Sequence, residues 1–181
     1  MRTFSDELGD RRPIDPLLLA HVTGVVAPDD LRVACGRHSA HDPALGVWLS
    51  VGQPTSHVGI DLISPGPLFP RLREAAIETW TEAELSGLHA LSLLGDHTAA
   101  RVSTASDWLM AELQPDNGTN RPWAIHVFLD RWIRDHHEES RLYAETLMHN
   151  CRVTRGLPDR LSAVILASAA KALATSAHHL T

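Results

Sequence analysis

The sequence has no run of basic residues; its densest cationic stretch is Asp10-Arg11-Arg12. Lys and Arg total 16 against 22 Asp and Glu, for a net charge of −6. General binding to nucleic acid or to anionic membranes needs clustered Lys and Arg, so this balance argues against both. No stretch of 18 apolar residues occurs, which excludes a spanning helix. The first 12 residues mix acidic and basic groups and lack an apolar centre, so they do not read as a signal peptide. There are two cysteines, Cys35 and Cys151, and no C-x-x-C spacing. Two reduced thiols in a cytoplasmic protein is the expectation. There is no G-x-S-x-G elbow, no G-x-x-x-x-G-K-[ST] loop and no G-x-G-x-x-G turn. The common routes to a serine nucleophile and to nucleotide binding are therefore absent.

What is present is an ordinary globular balance over 181 residues, with 44% hydrophobic and 21% charged. That length suits one domain with a core of its own. Residues 1–13 read as a flexible polar arm, and residues 14–181 as a single helical domain. Within it, residues 14–66 hold short helices and loops. Leu17, Leu18, Leu19 and Val22 form an apolar run after Pro16. Pro28-Asp29-Asp30 starts a second short helix, and Asp42-Pro43 starts a third that ends at Gly52. Residues 57–63 fit neither strand nor helix decisively.

Residues 67–178 predict five longer helices. Leu72, Ala76, Trp80, Ala83, Gly87 and Leu91 recur at helical spacing from Pro70 to Gly95. Asp96 opens the next helix, which carries Val102, Ala105 and Leu109 and stops at Pro115. Asn120 and Pro122 start a third, with Ile125, Phe128, Leu129 and Trp132 on its apolar face. Glu138-Glu139 open a fourth, where Tyr143, Leu147 and Cys151 are spaced by four. Pro158-Asp159 start a fifth, through Leu161, Ile165, Ser168 and Ala172. The fold class is all-α: antiparallel helical hairpins, as a bundle or a short helical-repeat-like array. No repeat signature recurs.

Three groups of residues invite a functional reading. The first is His126 with Glu145 and His149. Glu145 and His149 are four apart on one helix, and His126 lies on the helix before it. Two imidazoles and a carboxylate suit zinc or iron with a position left for water, and His89 offers a fourth ligand. The plainer explanation is separate histidines, hydrogen-bonded or solvated. The second is the loop at residues 114–123, where Asp116, Asn117, Asn120 and Trp123 are the candidate ligand contacts beside a helix start. Turn and cap chemistry explains the same residues. The third is Trp80, Trp108, Trp123 and Trp132, read as a shared core cluster rather than an aromatic wall for a ligand. Arg131, Arg134 and Asp135 read as a solvated face.

Two functions fit. One is a non-catalytic helical module that binds a protein or peptide, needs no cofactor, and also allows a homo-oligomer. It expects a groove between helix pairs, with exposed apolar residues along one concave face. The other is a metal-dependent hydrolase or metal-binding protein using His126, Glu145 and His149 as zinc or iron ligands.

Overall fold

The computed structural model describes residues 3–5, 11–13, 16–23, 43–52, 60–71, 73–113, 121–153 and 159–179. Seven α-helices occur among them. They are α1 (Pro16–Thr23), α2 (Leu45–Gly52), α3 (Ile77–Ser92), α4 (Ala99–Glu112), α5 (Ile125–Asp135), α6 (Glu138–Val153) and α7 (Arg160–His179). A 3-10 turn, Asp96–Thr98, leads into α4. The helical class predicted by periodicity holds. Within the stretch expected to be a loose arm, β1 (Thr3–Ser5) and β2 (Arg11–Pro13) pair antiparallel, Phe4 opposite Arg12. The helix predicted after Pro28 lies outside the described residues. None of the helices described is long and apolar enough to cross a membrane.

Most helix bounds follow from local chemistry. Asp159 Oδ1 accepts the Ser162 N–H at 2.8 Å and caps α7. Glu138 and Glu139 occupy the first turn of α6, where the dipole favours negative charge. The left-handed His136 ends α5, and a link of two residues joins α5 to α6, which pack on each other. α5 also packs on α7, α1 on α2 and α7, and α3 on α2, α4 and α5.

Helix α3 starts at Ile77, later than its apolar spacing suggests, and the loop at residues 60–71 before it is held by tertiary contacts. The fully buried Glu84 carboxylate accepts the backbone N–H groups of Leu68 and Phe69 at 2.8 and 2.7 Å. Arg101, on α4, donates to the carbonyls of Asp61, Gly66 and Pro67 at 2.8–3.0 Å. One acid and one base thus bind both polar rows of the loop at residues 60–71, leaving little backbone there free to become helix. Gly87 makes the seat for Phe69: a Cβ there would lie 2.5 Å from the ring. Trp80 donates to the Phe69 carbonyl and meets Trp108 edge to face.

Arg131 departs from its expected place on a solvated face. It pairs with Asp107 and donates to Ser106 Oγ at 2.8 Å, tying α5 to α4. Arg134 and Asp135 remain exposed. The Cys151 thiol is free and buried on α6; Cys35 lies outside the described residues.

Candidate functional site: a buried histidine junction

Helix α3 carries His89 into the core beside Leu88 and Leu91. Its ring is fully buried and boxed by aromatic groups. Trp48 of α2 stacks on it at 5.7 Å between centroids, and Trp123 meets it edge-on at 5.4 Å. His21 of α1 lies at 4.8 Å and His126 of α5 at 4.7 Å. The expected shared tryptophan cluster is therefore two pairs, Trp80 with Trp108 and Trp48 with Trp123, and the second pair encloses an imidazole.

The proton positions follow from the hydrogen bonds. The Ala124 N–H points at His89 Nδ1 at 3.1 Å. A backbone amide only donates, so Nδ1 is the acceptor and the neutral ring holds its proton on Nε2. His89 Nε2 lies 2.8 Å from His21 Nδ1 and donates to it. His21 then keeps its proton on Nε2, which lies 3.1 Å from Ser168 Oγ on α7 and donates there. On the other side, Ser92 Oγ donates to the His89 carbonyl at 2.7 Å. Its lone pair is left for His126 Nε2–H, also at 2.7 Å. The chain runs one way, from the Ala124 amide to Ser168.

Ala124 anchors this order from an unusual backbone. It has φ 55° and ψ 12°, left-handed and fully buried, immediately before α5. A non-glycine residue there is uncommon and carries a cost of order 1–3 kcal/mol. The strain coincides with the amide that points at His89, and the helix starts at Ile125 rather than at Pro122.

The order decides what the junction can do. In a Ser–His pair built for nucleophilic attack, the imidazole accepts the hydroxyl proton. Here the His21 nitrogen facing Ser168 carries a proton already, so it does not activate that hydroxyl. A metal-ligating histidine uses its other nitrogen to donate to a carbonyl or carboxylate. His89 Nδ1 instead accepts an N–H, which is the wrong polarity for a metal at Nε2. All three rings favour the neutral form. Burial, joined by His126 and His21, holds His89 well below the usual imidazole range. Burial and then His21 bring His126 down to about 4, and burial lowers His21.

The three residues read as metal ligands do not come together. His126 is turned toward Ser92 and His89. Glu145 pairs with Arg141 on the solvent side of α6, and His149 is exposed. No three His, Cys, Asp or Glu side chains converge as metal ligands among the described residues. Of the loop residues, Asp116, Asn117 and Asn120 lie outside the described residues. Trp123 is 1% exposed, a core ring rather than the wall of an open groove, and its Nε1 finds no acceptor among those residues. His21 and Ser168 were not marked as a pair by sequence. The signal available was a lone histidine inside the apolar run from Leu17 to Val22.

No protein-family model, no curated protein and no solved structure matches the chain.

Proposed function

We propose that the protein is a non-catalytic helical module that binds an amphipathic helix along the outer face of α6. One observation carries this reading. The buried side of α6 is Ser140, Tyr143, Ala144, Leu147 and Cys151. Directly opposite, Leu142, Thr146, His149 and Val153 follow one another at intervals of four, three and four residues. Leu142 is 50% and Val153 66% exposed. That is the spacing of a helix-to-helix seam. Single exposed apolar residues need no explanation; their alignment on one seam does.

Charge sets the partner's flanks. Glu139 stands exposed beside the seam, as do Glu138 and Glu145, which share Arg141 between them, and the chain carries a net charge of −6. The partner is therefore a helix with apolar residues at seam spacing and basic residues beside them. The one-way order of the histidine junction supports the non-catalytic part, because it leaves neither a base for Ser168 nor a ligand set on His89.

The test is titration of labelled helical peptides of this design, with acidic-flanked peptides as controls. Basic-flanked peptides bind with Kd below about 1 mM, and Leu142→Glu with Val153→Glu weakens them at least tenfold, about 1.4 kcal/mol. Equal binding by both variants and wild type overturns the reading, as does no binding at all. A dimer of the protein alone, lost in the double variant, assigns the face to a second copy and also overturns it.

A further inference from the structure

We propose that the His21–His89 contact is an acid-sensitive latch, which frees α1 from α3 when a proton enters the pair. The latch follows from the fixed order of donors. His21 Nδ1 accepts from His89, and His21 Nε2 donates to Ser168. A proton added to His21 goes to Nδ1, where it faces the proton on His89 Nε2 at a separation of 2.8 Å between nitrogens. Two donors then oppose each other. A second ring can relieve this by shifting its own proton to the other nitrogen. His89 has no such option, because its Nδ1 faces the Ala124 N–H. The left-handed backbone at Ala124 thus blocks the rearrangement that would tolerate the charge.

The surroundings do not compensate either. Against the His21 ring stand His89 of α3 and Ser168 of α7; His126 of α5 meets His89 and is coupled to His21 by charge, and the Trp48 ring of α2 stacks on His89. Among the described residues the only charged or titratable groups acting on the three rings are the rings themselves, and no carboxylate is close enough to hold an imidazolium. Among the described residues a first proton therefore meets repulsion from one direction and attraction from none.

Helix α1 is the element that yields. It spans eight residues; Leu17 and Ala20 are buried in the core, and Leu18 and Leu19 pack against it half-buried. His89 is locked between two tryptophans and an amide on 16-residue α3. His21 reaches its partners from a short helix and is itself only half-buried. Breaking the pair removes the His21–His89 tie of α1 to α3 and leaves the His21–Ser168 bond as its histidine link to α7.

Hydrogen exchange on the full chain reads the latch directly. Opening that takes up one proton approaches about a tenfold gain per pH unit well below the ordinary imidazole value. Protection of the α1 amides, corrected for intrinsic exchange, falls roughly fivefold from pH 6.5 to 5.5 while α4 keeps its protection. His21→Phe keeps an aromatic ring and removes the proton site, so its α1 protection no longer varies with pH. If that variant does not fold, His21→Gln gives the same readout. Three results overturn the proposal: α1 protection that is constant with pH in wild type, a pH dependence that survives in the His21 variants, or loss of protection in α1 and α4 together.

Discussion

Glu84 and His89 stand five residues apart on α3, both at 0% exposure, and they meet burial from opposite directions. Glu84 faces the loop at residues 60–71 and Arg101. His89 faces α1, α2 and α5, where its partners are two imidazoles, two indoles and one amide. Burial raises Glu84 to about 7, against the Leu68 and Phe69 N–H groups and Arg101, which pull it down. Burial lowers His89 well below its ordinary value. The same low-polarity interior therefore works against charge in both places, but the clamp surrounds its acid with donors and a cation, and the junction surrounds its base with other bases. The first kind of site keeps a loop in place. The second responds to acid.

The largest effects break either side outright. Glu84→Ala leaves two buried N–H groups unpaired and Arg101 without its acid, for a loss of roughly 3–5 kcal/mol. His89→Ala opens a gap between Trp48 and Trp123 and strands the Ala124 N–H, for a loss also of roughly 3–5 kcal/mol. Urea unfolding of the two variants checks both figures. Glu84→Gln keeps one acceptor oxygen and loses about 1–3 kcal/mol; a loss equal to that of Glu84→Ala would mean that charge rather than hydrogen bonding holds the loop. Gly87→Ala pushes a methyl into the Phe69 ring and loses about 1–3 kcal/mol, with the histidine side untouched.

The pH dependence sharpens the comparison, because its signs differ. The folded Glu84 holds its proton above the ordinary value of 4.5, so its contribution is complete below 4.5 and is lost as pH rises toward about 7. The folded histidines hold theirs below 6.5, so their contribution is complete above 6.5 and is lost as pH falls, for His126 toward about 4. Each proton contributes a slope of up to about 1.4 kcal/mol per pH unit. Between pH 4.5 and 6.5 the two oppose each other. Glu84→Gln makes stability rise more steeply with pH there, and His126→Phe flattens it, as urea midpoints at several pH values will read. The smallest effect is Ser168→Ala, at about 0.5–1.5 kcal/mol, since that hydroxyl is exposed and water replaces it.

Much of the fold was legible because local chemistry decided it. Asp159 caps α7 through Ser162, Glu138 and Glu139 open α6, and α2 follows Asp42-Pro43. Where tertiary contacts decided, the sequence was silent. The clamp on the loop before α3 depends on Glu84 reaching back to Leu68 and Phe69, 16 and 15 residues earlier. The left-handed Ala124 carries no mark, because alanine is a good helix former and gives no warning of positive φ. The histidine junction joins residues 68 apart in the chain, through a short helix with weak periodicity. The outward placement of Glu145 and His149 was within reach. Tyr143, Leu147 and Cys151 mark the buried side of α6, and a residue two positions on from any of them lies about 200° away.

The central claim is the fixed proton order at His89, and nitrogen-15 NMR of the imidazoles tests it most directly. Ring nitrogens with and without a proton differ widely in shift, so each tautomer is read without reference to stability. The account predicts, at pH 7.5, a neutral His89 protonated on Nε2 with a bare Nδ1, and His21 likewise. A proton on His89 Nδ1, or a charged His89, would contradict it.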